Sequence, residues 1–269
     1  MSRRSTVFEG TMILALAAVL LGGMLTARWY FNEGPRDPVT HCLPGPPPGQ
    51  TIAFIDKTDL WNDAQADRLV DHVFRLVMDR MKDEQLFTMF VFGEKLTPGF
   101  KEVFRRCKPP PRARNGVIDS ESYRRRTFED VFGKPLREVM ADAKTPAEAD
   151  CSPIAEVLVD VLGREEVKTR PGATRIVLFS DMAQNSAIYS AFQRTKCFAV
   201  KPGRDHALDG RPLVKYFDDR KGSLKVEGAS AVIYQVIPAK NPERVKDLAR
   251  QKWGDVFRAL GMEADWQLL

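Results

Sequence analysis

Apolar runs of strand length alternate with amphipathic stretches along the chain from residue 51 onward. The first run, residues 52–55, ends in polar residues, and an apolar stripe with helical spacing follows it over residues 64–81. The next apolar run covers residues 86–92. A strand, a helix and a second strand in this order predict a right-handed βαβ unit with parallel strands.

The same alternation continues to the C-terminal part of the chain. Two more apolar runs, residues 173–181 and 229–237, have the length and composition of buried strands. Ser152 and Pro153 form a helix start signal, because serine is a good N-cap and proline suits the first helical position. Helices are predicted over residues 127–141, 153–162, 183–194 and 242–260. The pattern therefore predicts an α/β domain with a mostly parallel sheet.

The N-terminal part of the chain follows a different pattern. Residues 11–27 carry no charge, and Trp29 and Tyr30 follow them. An apolar run with an aromatic belt at its end is typical of a membrane-spanning helix. We predict a tail over residues 1–10 and a single transmembrane signal-anchor helix over residues 11–31. A cleaved signal peptide and a buried core helix are the alternatives.

Proline and glycine mark the next boundary. Residues 32–50 contain six prolines and three glycines, which predict a semi-rigid linker rather than a helix or a central strand. One domain is expected over residues 51–262, with irregular insertions near residues 100–150 and 196–228. Residues 263–269 are expected to be a C-terminal tail.

The net charge and the distribution of charged residues bear on which classes of partner the chain binds. The net charge of +5, from 41 basic and 36 acidic residues, does not by itself indicate nucleic acid. From Lys101 to Arg114, six basic residues accompany one acidic residue. This stretch is interpreted as a solvated insertion or as a contact surface for an acidic partner, anionic lipid or nucleic acid. No nucleic-acid motif supports the last of these, so no specific nucleic acid is predicted.

The cysteines indicate an oxidising compartment. Four are present, and none forms the C-x-x-C pair of a zinc or thioredoxin-like site. One or two disulfides are predicted, with free thiols as the alternative, and the sequence does not choose among three possible pairings. The candidates are Cys42, Cys107, Cys151 and Cys197.

Polar residues gather in three loops at strand ends and helix starts. Asp56, Thr58 and Asp59 follow the first strand, Ser152 opens a helix, and Ser180-Asp181 ends the third strand. In open α/β sheets, ligands bind outside the carboxyl ends of the strands. Hydroxyl and carboxylate oxygens are suitable ligands for Mg²⁺ or another divalent cation, which retains several waters.

This arrangement resembles the von Willebrand factor A (VWA) family. That resemblance implies a Rossmann-like, doubly wound sheet with a metal-ion-dependent adhesion site whose opening motif is Asp-x-Ser-x-Ser. Asp56 and Thr58 match its first two positions, Ser152 matches a Thr before a middle helix, and Asp181 matches a later Asp. The implied metal ligands are therefore Asp56, Thr58, Ser152 and Asp181.

One departure from the family pattern puts the metal site in doubt. The last serine of the opening motif is replaced by Leu60, which cannot bind a metal. Asp59 is an alternative ligand, or the ammonium of Lys57 occupies the metal position. In a third interpretation, Asp56 and Asp181 only cap helices and hold loops by hydrogen bonds.

Catalysis is not predicted. The three histidines, His41, His72 and His206, lie in no context that suggests a Ser-His-Asp or Cys-His arrangement, and no Gly-rich phosphate loop is present. The resemblance implies instead a membrane-anchored protein-binding module of the cell envelope, with adhesion through a metal to a partner carboxylate. The alternatives are a structural subunit of an envelope complex with a non-functional metal site and, ranked last, a membrane-tethered hydrolase.

Arg3 and Arg4 precede the apolar segment and favour a cytoplasmic N-terminus. We therefore predict a single-pass protein of the bacterial inner membrane with its C-terminal domain in the periplasm. A reporter that is active only in the periplasm, fused after Leu269, is expected to be active. Activity of a cytoplasm-only reporter at the same position would contradict this topology.

Overall fold

The structure is a computed structural model of the whole chain. It describes residues 3–31, 34–58, 61–93, 100–113, 120–145, 151–191, 210–237 and 242–269. The chain forms two compact units, Met1–Arg36 and Asp37–Leu269.

The first unit contains one helix, α1, Arg3–Phe31. Its apolar side chains between residues 12 and 25 are exposed, for example Leu14 and Met24. Among the described residues, no helix combines the length and hydropathy that are required of a membrane span.

The second unit is built on one six-stranded sheet. Its strand order is β3-β2-β1-β4-β5-β6, and β3 alone runs antiparallel to its neighbour. The chain winds outward from β1 in one direction and from β4 in the other, so the predicted doubly wound, mostly parallel α/β sheet is confirmed. The strands are β1 Gln50–Asp56, β2 Leu86–Phe92, β3 Phe100–Cys107, β4 Thr174–Ser180, β5 Ala229–Gln235 and β6 Glu263–Leu268.

The central strands are apolar on both sides because helices cover both faces of the sheet. In β1, Ile52 and Phe54 pack into one apolar cluster, while Ala53 and Ile55 pack into a second cluster on the opposite face. All four are completely buried. This is why β1 is a continuous apolar run rather than an alternating one.

Helices α5 and α8 supply the first cluster, and α2 and α4 supply the second. Helix α2 begins with a capping box, in which the Asn62 side chain accepts from the Gln65 amide while the Gln65 side chain accepts from the Asn62 amide. The helices are α2 Asp63–Arg75, α3 Glu121–Phe128, α4 Lys134–Ala143, α5 Ile154–Gly163, α6 Glu165–Lys168, α7 Arg211–Asp218 and α8 Pro242–Leu260; single π-helical turns, Leu76–Arg80 and Glu129–Gly133, extend α2 and α3.

Four sequence-based expectations are corrected. The stretch near residues 100–150, expected to be an irregular insertion with a helix over residues 127–141, also contributes β3 and most of α3, while α4 and the end of α3 overlap that predicted helix. The expected tail over residues 263–269 forms β6. The stretch 196–228 contains α7. Residues 183–191, expected to be helical, form a loop with isolated bridges. The two edge strands carry charged residues and lack the apolar run of a central strand, so their pattern is weak.

The linker also differs from its prediction. From Asp37 onward it belongs to the second unit, and its backbone is bound to β3, because the Cys107 amide donates to the Thr40 carbonyl over 2.8 Å. A disulfide joins Cys42 to Cys107, which confirms one predicted bridge. Residues 37–49 are therefore part of the domain and not a spacer.

The Cys42–Cys107 disulfide closes a segment of 65 residues. The pair of substitutions Cys42→Ser and Cys107→Ser is expected to lower the free energy of unfolding by about 2–4 kcal/mol, because it frees the unfolded chain. Denaturant unfolding of the full-length chain in detergent measures the change. Val39→Ser, at an exposed position in the same segment, is the control and is expected to have little effect. Equal stability of the double variant and the wild type would contradict a structural role.

Candidate functional site

The sheet order brings two polar strand ends together. Strands β1 and β4 are neighbours, and Ile55 pairs with Phe179, so Asp56 and Ser180 lie side by side at their carboxyl ends. This is the point where the winding of the sheet reverses. Such a switch point leaves a crevice in which α/β proteins bind ligands.

The Asp56 carboxylate is completely buried and accepts four hydrogen bonds. Its Oδ1 accepts from the Thr58 amide over 3.0 Å and from the Thr58 hydroxyl over 2.6 Å. Its Oδ2 accepts from the Ser152 hydroxyl over 2.8 Å and from the Ser180 hydroxyl over 2.9 Å. Three separate segments of the chain therefore meet at one carboxylate.

Ser152 is held in place by the loop that follows β4. Its amide and carbonyl both pair with the backbone of Asn185. The Gln184 side chain accepts from the Ala155 amide over 2.8 Å and so caps the first turn of α5. Cys151, beside Ser152, is disulfide-bonded.

The loop after β4 is unusually polar for buried chain. Gln184 and Ser190 are completely buried, and Asn185 and Ser186 nearly so. Their side chains form hydrogen bonds with one another and with α5, so these buried polar groups have partners within the protein.

At the start of this loop, Met182 has a φ of 61°, a left-handed conformation that a non-glycine residue adopts only when its surroundings impose it. The Trp253 indole donates to its carbonyl over 2.9 Å and holds the bend.

Burial is the main influence on the pKa of Asp56. Removal from water raises the pKa of its carboxyl above the ordinary value, and the hydrogen bonds from Thr58, Ser152 and Ser180 oppose that rise only in part. No basic side chain among the described residues binds this carboxylate.

Two other predicted site residues have different roles. The Asp181 side chain is half-buried, and its Oδ1 accepts from the Ala183 amide over 2.6 Å, as a turn-forming aspartate does. Ser180 therefore contacts Asp56 where Asp181 was expected to complete the site. The Lys57 ammonium binds Asp142, through its carbonyl at 3.0 Å and its carboxylate at 3.3 Å, and not Asp56. Asp59 and Leu60 lie outside the described residues.

The oxygen atoms that this site offers to a hard cation belong to hydroxyl groups and not to carboxylates. Within the described part of the chain, no three Asp, Glu, His or Cys side chains gather. The hydroxyls of Thr58 and Ser152 donate to Asp56, and each oxygen keeps lone pairs for a ligand. Ser180 keeps only one lone pair, because it also accepts from the Met182 amide, and it is completely buried. Thr58 and Ser152 would hold the ion, and Asp56 would supply the charge behind them.

His72, on α2, is half-buried and packs on the ring of Tyr234, with 4.4 Å between the ring centroids, and burial lowers its pKa. It is not among the side chains that bind Asp56 in the described part of the chain.

Comparisons with known proteins give remote likenesses. No family model and no curated protein matches the chain. Among solved structures, the pilus adhesin SpaC from Lactobacillus rhamnosus GG in its open conformation is 11% identical over 86% of this chain, with a TM-score of 0.48. The chain spans 28% of SpaC. The SpRpn10 VWA domain is 10% identical over 82% of this chain and 88% of its own length, with a TM-score of 0.38. Identities this low carry no information about function.

Because the pKa of Asp56 is raised, we expect its contribution to the stability of the folded chain to depend on pH. The folded chain retains the Asp56 proton at pH values where the unfolded chain has lost it, so the group's stabilising contribution is full below the unfolded pKa and is lost as the pH rises through the folded pKa. The stability of the wild type relative to Asp56→Asn should therefore fall as the pH rises above 3.8 and then level off.

Denaturant unfolding at a series of pH values measures this difference. Asp247→Asn, at an exposed position on α8, is the matched control and should show no comparable trend. A wild-type advantage that grows with pH would mean that the hydrogen bonds outweigh burial and that the folded site prefers the carboxylate.

Proposed function

We propose that the chain is a VWA-like protein-binding module that engages its partner at the carboxyl edge of the sheet, around Asp56, Thr58 and Ser152. The observation that carries the proposal is a fully buried carboxylate surrounded by hydroxyl donors at the switch point of the sheet. A buried acid without a bound cation is costly to ionise, and a ligand that brings positive charge would relieve that cost.

The charge is proposed to come from a divalent cation such as Mg²⁺. Such an ion would bind the hydroxyl oxygens of Thr58 and Ser152 and would leave a position for a carboxylate of the partner protein. The chain's own residues fix the two hydroxyls in position: Asp56 orients both protons, and the bridge to Asn185 holds Ser152.

Binding is favoured over catalysis by the chemistry of this edge. Asp56 has no free lone pair with which to bind a substrate, because all four of its acceptor positions are in use. Its described hydrogen-bond partners include neither a histidine nor a cysteine thiol that would act as a base or nucleophile.

Placement in the cell envelope is part of the same proposal. The uncharged residues 11–27 and the aromatic residues Trp29 and Tyr30 support anchoring through α1 in the bacterial inner membrane. The Cys42–Cys107 disulfide supports a periplasmic domain, because disulfides persist in oxidising compartments. The partner would be another protein of an envelope complex.

Metal binding at this edge has a direct test. Millimolar Mg²⁺ or Mn²⁺ should raise the melting temperature of the full-length chain by about 2–4 °C at ten times the dissociation constant. Thr58→Val and Ser152→Ala should abolish the shift, since each removes one ligand oxygen. Thr127→Val, which makes the same change at the surface of α3, is the control and should retain it.

The outcomes separate the three functions. No metal-dependent shift, together with a partner that co-purifies equally with wild type and Thr58→Val, would support a structural subunit that docks without a metal. Loss of partner binding in Thr58→Val and in Ser152→Ala, and also in the wild type when a metal chelator is added, would support the adhesion site. Turnover of generic phosphate or ester substrates that is abolished by Asp181→Ala would support the hydrolase instead.

A further inference from the structure

Both edges of the sheet are open over matching lengths. Strand β6 pairs only with β5, and none of its residues has a backbone hydrogen bond on the outer side within the described part of the chain. On the opposite edge, the described contacts of β3 leave Phe100–Arg106 unpaired on its outer side, while Cys107 is covered by Thr40. Open edges of this kind accept another strand.

The two edges carry opposite charge. Strand β6 has two acidic residues and no basic ones, and β3 has three basic residues and one acidic residue. Pairing of β6 with a second β6 in an antiparallel arrangement would bring acidic residues together, which destabilises a strand pair. A basic strand is therefore the better complement to β6.

The residue registers place one acidic residue of β6, Glu263, in the same row of the sheet as one basic residue of β3, Arg106. The pairings Glu263 with Ser230, Ser230 with Arg175, Arg175 with Thr51, Thr51 with Phe87 and Phe87 with Arg106 run straight across the six strands. A second copy that continues these rows, rotated as the twist of the sheet requires, would place its Arg106 opposite Glu263. The strand pairings, followed across the sheet in the same way, place Gln267 opposite Lys101 and Leu268 opposite Phe100.

The sheet faces agree as well. Ala264 and Trp266 turn toward the cluster that contains Trp253, so Glu263 and Asp265 turn toward the opposite face. Arg106 turns toward that opposite face too, because its guanidinium lies over the ring of Phe104, a member of the second cluster. The acidic and basic side chains would thus meet on one side of a continuous sheet.

The apolar side chains match on the other face. Leu268 is 49% exposed, although it lies in a strand of the sheet. Its row partner, Phe100, is only partly buried and packs against the first cluster. Contact between these two side chains would bury apolar surface that a single copy leaves in water.

Strand direction permits this pairing without inversion of the second copy. Strand β6 runs parallel to β2 through the intervening strands, and β3 runs antiparallel to β2. A copy that continues the sheet without inversion therefore presents β3 antiparallel to β6, the more stable of the two strand pairings.

We propose that the domain self-associates by adding the β3 edge of one copy to the β6 edge of the next, which extends one sheet across copies. Such head-to-tail contacts are heterologous and leave a free β6 edge and a free β3 edge at the ends of each assembly. The contact does not use the carboxyl edge around Asp56, so it is independent of the proposed metal-dependent binding.

Sedimentation of the full-length chain in mild detergent tests the assembly. The wild type is expected to associate with rising concentration, and added salt should weaken the association because charge pairs contribute to it. Glu263→Arg, which faces Arg106 of the next copy with like charge, should weaken association about tenfold or more. Glu138→Arg, at an exposed position on α4, makes the same charge change and should leave association unchanged.

Two further measurements are needed, one to control for folding and one to map the contact. An unaltered melting temperature of Glu263→Arg shows that the variant is folded. Carbodiimide crosslinking of a mixture of ¹⁴N- and ¹⁵N-labelled wild-type chains should join Asp265 of one copy to Lys101 of another, because Asp265 is the diagonal neighbour of Lys101 on the same face. A chain that stays monomeric at high concentration, association that survives Glu263→Arg, or crosslinks that join β6 to a different surface would overturn the proposal.

Discussion

The structure depends on the burial of one carboxylate between two neighbouring strands. Asp56 ends β1, the most buried strand, and no water reaches it. A buried carboxylate must have its hydrogen bonds satisfied by the protein, since an unsatisfied group would lose several kcal/mol of hydration. Thr58, Ser152 and Ser180 meet that requirement, and they do so from three distant parts of the sequence.

This requirement links the site to the packing of the domain. Ser180 reaches Asp56 because β4 lies beside β1, and Ser152 reaches it because the loop after β4 pairs with the start of α5. Trp253 of α8 holds the bend at Met182 from which that loop begins. A change in any of these contacts would alter the hydrogen bonds to Asp56, so the carboxyl edge of the sheet acts as one cooperative unit.

The carboxyl edge and the two lateral edges of the sheet would serve different contacts. The carboxyl edge offers fixed hydroxyl oxygens and a buried charge, which suit a ligand that carries positive charge or a cation. The lateral edges offer backbone groups in register with complementary side chains, which suit another strand. A sheet with these separate edges would allow the proposed partner and a second copy to bind at the same time.

Several features could be predicted from the sequence because they depend on local pattern. Central strands β1, β2, β4 and β5 are apolar runs, since both faces of the sheet are covered. The hydroxyl residues Thr58 and Ser152 were predicted from their positions after a strand and before a helix. The edge strands were missed because they are partly exposed and lack a continuous apolar run. In β3 the apolar residues are interrupted by Lys101-Glu102 and Arg105-Arg106. In β6 polar and apolar residues alternate, which is the pattern of a half-buried strand, but over six residues only.

The sequence by itself determined which segments are buried and where polar residues interrupt them, because burial selects side chains one position at a time. Only the tertiary structure decided which of those polar residues meet. The dipeptide Ser180-Asp181 shows the difference: the two residues are adjacent in the chain, yet the pleat of β4 turns only the serine toward Asp56. The alignment of Glu263 with Arg106 is likewise invisible in the sequence, since it results from the order and register of all six strands.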